Sequence, residues 1–181
     1  MSLPNILTLI RILLTPLFII LLLKNMFGAA LLIFTIAGIS DALDGFIARY
    51  LNQRTVLGAY LDPLADKLLL ISSFIGLAVL QIMPGWVTVI VITRDVIICL
   101  GIAIFTITEK KYEVKPSIIS KFTTTAQITT VIVCLIKVSF TGMGTIQYLL
   151  FWTTAVLTTL SGLHYIYIGM NILQENNEKK A

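Results

Sequence analysis

The chain of 181 residues is 57% hydrophobic and 12% charged, with a formal net charge of +4 and a mean hydropathy of +0.97. A soluble domain of this length has too little interior to hide so much apolar surface, so the sequence reads as an all-α integral membrane protein. The positive excess comes with no basic run and no interleaving of basic and aromatic residues, which excludes a nucleic-acid surface.

Six apolar stretches lie near residues 5–23, 30–50, 61–80, 86–107, 118–138 and 146–170, each close to the length of about 20 residues that a bilayer core requires. They predict a bundle of six transmembrane helices. The connections are short, no linker or internal repeat is visible, and residues 1–181 read as one membrane domain.

The first stretch opens as PNILTLIR. Pro4 suits a first helical turn and Ser2 suits its cap. Arg11 lies about 9 Å of helical rise beyond Asn5, which leaves two readings: it snorkels back to the membrane interface, or it acts in a site. With nothing basic ahead of the apolar run and Arg11 interrupting it, a cleaved signal peptide is not expected.

The second and third stretches meet across DALDGFIARYLNQRTVLGAYLDPLAD, residues 41–66. This segment holds Asp41, Asp44, Asp62 and Asp66. The spacing is i, i+3 in the first pair and i, i+4 in the second, so each pair shares one helical face about a turn apart. Four carboxylates aimed at one point repel, at about 3 kcal/mol per pair for a separation of about 5 Å and a dielectric of about 20. They must protonate or bind cations, and a hard oxygen donor set suits two divalent ions, Mg²⁺ or Mn²⁺.

Each pair has a plainer reading. Asp62 followed by Pro63 has the form of an N-cap and first helical residue, and Asp66 one turn later is still tolerated by the helix dipole. Asp41 and Asp44 lie toward a helix C-terminus, where the dipole disfavours anions and where membrane burial is costly, so the structural reading explains them poorly. Gly45 and Gly58 leave room for close approach of a ligand, although a turn glycine is equally ordinary at Gly58. Arg49 either holds a phosphate or snorkels.

Arg94 and Asp95 lie inside the fourth stretch, far from either end. They are either a mutually neutralising pair packed between helices or the mark of an anion site within the bundle. Residues 108–121, TEKKYEVKPSIISK, form the longest polar segment. Lys110 and Lys111 read as headgroup anchors, while Lys115 and Lys121 can converge with Arg94 on one phosphate. Cys99 and Cys134 lie within apolar stretches and read as buried thiols with no disulfide framework. His164, with Tyr165 and Tyr167, reads as a packed or interfacial cluster near the end of the last helix. The tail NNEKKA is expected to fray.

Orientation follows the positive-inside rule. Arg49, Arg54 and Lys67 flank the second connection, Lys110, Lys111, Lys115 and Lys121 the fourth, and Lys179 and Lys180 the C-terminus. The opposite connections have only Lys24 and Lys137 nearby. Both termini and the carboxylate cluster are therefore expected to be cytoplasmic, in a bacterial inner membrane or its equivalent.

The series Asp41-x2-Asp44-Gly45-x2-Ala48-Arg49-x8-Gly58-x3-Asp62-x3-Asp66 resembles, at every fixed position, the signature of the CDP-alcohol phosphatidyltransferase family. The six-helix plan and the PNILTLIR opening are similar to that family too, so the resemblance covers most of the chain. It implies transfer of a phosphatidyl-type group from a CDP-linked lipid or alcohol to an acceptor hydroxyl, with release of CMP. By the same resemblance Asp41, Asp44, Asp62 and Asp66 would hold two divalent ions, and Asp66 would also be the general base. Gly45, Ala48, Arg49 and Gly58 would line the cytidine-diphosphate pocket, with Asn5 and Thr8 near it. A homodimer is expected on the same ground.

For the acceptor, TRDVIICLG and VKPSIISKFTTTAQ look most like the CMP-forming cardiolipin synthases of mitochondrial type. That likeness implies CDP-diacylglycerol as donor and phosphatidylglycerol as acceptor, its phosphate met by Arg94, Lys115 and Lys121. The related phosphatidylglycerophosphate synthases use glycerol 3-phosphate, and the charges alone do not separate the two anionic, glycerol-based acceptors. A transporter would also use midplane charges, but it needs neither the Gly and Ala positions nor this spacing.

Overall fold

The structure, a computed structural model, describes the backbone of residues 3–50, 56–107, 118–137 and 144–178. Side chains are described for residues 9–40, 65, 67–101, 118–136 and 144–171. The described elements are six α-helices: α1 (Leu3–Leu23), α2 (Phe27–Tyr50), α3 (Val56–Val79), α4 (Gly85–Ile107), α5 (Ile118–Lys137) and α6 (Gly144–Glu178).

Two of the connections end in the same local device. Leu21 and Leu22 close α1 by accepting from Met26 N and Asn25 N, both at 2.9 Å, and Asn25 takes a left-handed φ of 57°. At the end of α3, Leu77 and Ala78 accept from Ile82 N and Gln81 N at 3.0 Å, with Gln81 at φ 58°. This nested pair of bonds satisfies carbonyls that a helix end leaves open. Asn is a common substitute for glycine there; Gln is a strained one.

Two helix limits differ from the sequence expectation. α3 begins at Val56, so Asp62 and Pro63 lie inside a helix and the N-cap reading of Asp62 fails. VLGAYL contains nothing that forbids a helix, and one backbone bond lost at a proline is tolerated where a long apolar helix is otherwise favoured. α6 runs to Glu178, taking in the first half of NNEKKA, because no proline or glycine follows Gly169 to stop it.

The chain divides into two compact units. One, Met1–Gly85 with Val131–Gly144, contains α1, α2, α3 and the end of α5. In it α1 lies against both α2 and α3. The stripe Arg11, Thr15, Phe18 and Leu22, at helical spacings of four, three and four, is the buried face of α1. Phe18 meets Phe34 of α2 with ring centroids 5.8 Å apart, and a Cβ placed on Gly76 of α3 would run into the Leu22 side chain. Arg11 is 1% exposed, so snorkelling to the surface does not occur.

The other unit, Trp86–Thr130 with Thr145–Ala181, contains α4, the first part of α5 and α6. Much of its interior is polar, beside the buried Val87, Val91, Phe151 and Ala155. Thr123, Gln127 and Thr130 of α5 are buried against Thr154, Thr158 and Ser161 of α6. The Thr130 and Thr154 hydroxyls share a hydrogen bond of 2.8 Å, Gln127 Nε2 donates to Thr158 Oγ1 at 3.3 Å, and Thr123 Oγ1 donates to the Leu157 carbonyl at 3.1 Å. Large apolar side chains face outward instead, among them Val89, Ile118, Phe122, Leu149 and Leu163. Cys134 is buried as expected, whereas Cys99 is exposed. An apolar run does not by itself separate the interior face of a helix from its outer one.

Candidate functional site

The backbone of α2 is helical through residues 41–50, and that of α3 through 56–66. The spacing argument for the four carboxylates therefore holds at the level of the chain: Asp41 and Asp44 stand about 4.5 Å apart in helical rise, and Asp62 and Asp66 about 6 Å. The side chains of Asn5, Thr8, Asp41, Asp44, Gly45, Ala48, Arg49, Gly58, Asp62 and Asp66 lie outside the described residues. All ten positions belong to the same unit.

Register adds to this. The buried positions of α2 are Ala30, Phe34 and Ala37. Continued at the same alternation of four and three, that series passes through Asp41, Asp44 and Ala48. On α3 the buried series is Ala65, Leu69, Ser73 and Gly76, and Asp62 stands one step before it. Asp66 follows Ala65 directly.

Of the cationic residues expected at the acceptor, Arg94 lies on α4 and Lys121 on α5. Arg94 of α4 is 5% exposed and Asp95 2%, with Nη1 donating to Asp95 Oδ1 at 2.8 Å. Nη2 donates to Ser120 Oγ of α5 at 2.7 Å and to Ser161 Oγ of α6 at 2.9 Å, and Nε donates to Ser161 Oγ at 3.2 Å. The guanidinium also stands 5.8 Å from the Tyr165 ring centroid, within cation–π range. The neutralised pair is thus formed, and hydroxyls from two neighbouring helices fix the plane of the guanidinium. Four of its five N–H groups are used in these bonds.

Lys121 follows Ser120 on α5 and is exposed; Lys115 lies outside the described residues. The other expected cluster is partly formed. His164 and Tyr165 are half-buried with rings 6.4 Å apart, edge to face, while Tyr167 is exposed.

Two features escaped the sequence reading. One is the hydroxyl seam of α5 and α6, legible as Thr123, Gln127 and Thr130 at spacings of four and three, matched by Thr154, Thr158 and Ser161. The other is the partnership of Ser120 and Ser161 with Arg94. A serine in an apolar helix is a faint signal unless a buried charge is already known to need it.

Residues 1–160 match the model of the CDP-alcohol phosphatidyltransferase family. The chain is 35% identical to a cardiolipin synthase (CMP-forming) of Rattus norvegicus, over 96% of this chain and 63% of that protein. It is 33% identical to a CDP-diacylglycerol--glycerol-3-phosphate 3-phosphatidyltransferase of Wigglesworthia glossinidia brevipalpis, over 97% of this chain and 99% of the relative. A protein of the same description from Escherichia coli is 35% identical over 91% of this chain and 93% of its own length. The chain therefore spans less than two thirds of the length of the rat relative and nearly all of the two bacterial ones.

Proposed function

The chain belongs to the CDP-alcohol phosphatidyltransferase family, and from that membership we propose that it moves a phosphatidyl group from CDP-diacylglycerol to a hydroxyl of an anionic glycerol-based acceptor, releasing CMP. The observation that carries this reading is the series from Asp41 to Asp66, distributed over α2 and α3, two helices of one unit that both lie against α1.

The donor set is four carboxylates on two helices of one unit, which fits two hard divalent cations, Mg²⁺ or Mn²⁺. Asp41, Asp44, Asp62 and Asp66 would hold them, and such ions supply neutralisation of the donor's pyrophosphate. Asp66 takes the proton of the acceptor hydroxyl as its oxygen attacks the lipid-side phosphorus. The bond from that phosphorus to the bridging oxygen breaks, and CMP departs with the electron pair. Gly45, Ala48 and Gly58 leave space for the nucleotide between helices, with Asn5, Thr8 and Arg49 beside it. A carboxylate is a weak base, so the gain comes mostly from holding the two reactants in line.

The acceptor we favour is phosphatidylglycerol, which makes the product cardiolipin. Support comes from the segments TRDVIICLG and VKPSIISKFTTTAQ and from the identity to the rat cardiolipin synthase. Arg94, with Lys115 and Lys121, would read the acceptor phosphate. Glycerol 3-phosphate is the second reading, favoured by the two bacterial relatives matched over nearly their whole length.

The six helices are proposed to cross the membrane, with both termini and the carboxylates on the cytoplasmic side and with two copies forming a homodimer. Among the described residues, Ile118–Ile136 and Gly144–Asn171 are long and apolar enough to span. The outward-facing leucine, valine and phenylalanine side chains suit lipid better than water.

The test is CMP release by the purified chain in detergent, given CDP-diacylglycerol and Mg²⁺, with phosphatidylglycerol or glycerol 3-phosphate offered in parallel. Cardiolipin formed only with phosphatidylglycerol supports the first reading. Phosphatidylglycerophosphate formed with glycerol 3-phosphate overturns that acceptor and keeps the reaction class. No CMP with either removes both.

A further inference from the structure

Arg11 is buried to 1% exposure at the N-terminal end of the described stripe of α1, which is otherwise apolar and hydroxyl-bearing. Taking a guanidinium out of solvent is costly unless an anion accompanies it. Within the segments that form its unit, residues 1–85 and 131–144, the sequence holds only four acids: Asp41, Asp44, Asp62 and Asp66.

Register narrows the choice. A three-residue connection, Lys24–Met26, joins α1 to α2, so the two helices run antiparallel. Phe18 stands opposite Phe34. Seven residues back along α1 is Arg11, and seven residues on along α2 is Asp41.

For α3, the five residues between Tyr50 and Val56 reach at most about 22 Å, whereas α2, at 24 residues, is about 36 Å long. α3 thus starts near the end of α2 and, because it lies against α1, must run back parallel to α1. Leu22 stands against Gly76. Eleven residues back from each are Arg11 and Ala65, the neighbour of Asp66. Side chains on a helix lean toward its N-terminus, which on α1 is also the direction of the levels of Asp44 and Asp62.

We infer that Arg11 is the built-in counter-cation of the α2–α3 carboxylate cluster, placed at the level of Asp41 and Asp66. It lowers the repulsion among four acids in the empty protein and holds them in one arrangement. Its benefit to donor binding rests on the function proposed above; the charge pairing itself does not. Arg11 is on this reading a positioning residue.

The experiment is a double-mutant cycle read by thermal unfolding of the full chain in detergent with EDTA, so that neither metal nor substrate enters the result. Arg11→Met is expected to lower the midpoint by roughly 6 °C or more, and Arg11→Lys by less. In the Arg11→Met background, Asp41→Asn or Asp66→Asn is expected to raise the midpoint, although each lowers it or leaves it unchanged in the parent. Purely additive effects at both Asp41 and Asp66 would overturn the pairing. If Arg11→Met does not fold, the doubles Arg11→Met/Asp41→Asn and Arg11→Met/Asp66→Asn decide: recovery of folded protein in either supports the pairing, and failure of both overturns it. Loss of CMP release with an intact cycle would fault the proposed reaction and leave this inference standing.

Discussion

Arg94 on α4 donates through both Nε and Nη2 to the single hydroxyl of Ser161 on α6, at 3.2 and 2.9 Å. Together with Ser120 Oγ, this serine oxygen fixes the plane of a buried guanidinium whose Nη1 is turned to Asp95. Ser161→Ala removes the acceptor from two charged donors and is expected to cost about 1–3 kcal/mol. Thermal unfolding in detergent checks this, and an unchanged midpoint would mean that water or another acceptor replaces the hydroxyl.

The kinetic role of Arg94 is separable from its structural one. If it reads the acceptor phosphate, Arg94→Lys, which keeps the charge but loses the planar fork, should raise the acceptor KM by about tenfold, roughly 1.4 kcal/mol of binding. The donor KM should change little. Parallel titrations of CDP-diacylglycerol and of the acceptor measure both; equal rises would assign Arg94 and Asp95 to packing alone.

Much of the fold was legible because each apolar run is bounded by charge or by a turn. The positions of α1, α2, α4 and α5 follow from that alone. α3 was misread at its start, since Asp62 and Pro63 carry the residue types of a helix N-terminus while α3 already runs from Val56. Cys99 was misjudged, and Arg11 left between two readings, for a related reason: hydropathy tells that a helix is apolar, not which of its sides meets protein. The spacing of the four carboxylates predicted helical placement, and the backbone of α2 and α3 is helical at those positions, while their side chains lie outside the described residues. The partners of Arg94 were not legible, because Ser120 and Ser161 are brought to it by packing from 26 and 67 residues away in sequence.

Asp66 is the proposed base and metal ligand, and Asp66→Asn removes the charge while keeping the shape. Turnover should fall to background, with the midpoint of unfolding in EDTA within a few degrees of the parent. EDTA should likewise stop CMP release by the parent, and Mg²⁺ or Mn²⁺ should restore it. Near-normal turnover in Asp66→Asn would sink the assignment.

Gln81 closes α3 at φ 58°, a left-handed conformation that costs an ordinary L-residue about 1–2 kcal/mol. Gln81→Gly relieves that strain but adds freedom to the unfolded chain. The net expectation is a gain of about 0.5–1 kcal/mol, seen as a rise of a few degrees in the unfolding midpoint. A fall would show that the Gln81 Nε2 donation to the Ala78 carbonyl, at 3.3 Å, contributes more than the backbone strain removes.

Thr130 and Thr154 test whether the hydroxyl seam stabilises the α5–α6 contact or merely fits within it. Their hydroxyls lie 2.8 Å apart in a fully buried setting, and each also reaches the Ala126 carbonyl, at 2.8 and 3.4 Å. Thr130→Val or Thr154→Val alone leaves the other hydroxyl with one partner fewer and should cost about 1–3 kcal/mol. The double replacement keeps the shape and removes both polar groups, so its cost should be well below the sum of the singles. Thermal unfolding of the three variants and the parent gives the coupling directly. Additive losses would mean that each hydroxyl is held by the Ala126 carbonyl independently. A stabilised double variant would mean that the seam opposes α5–α6 association, and its retention would then call for a reason other than stability.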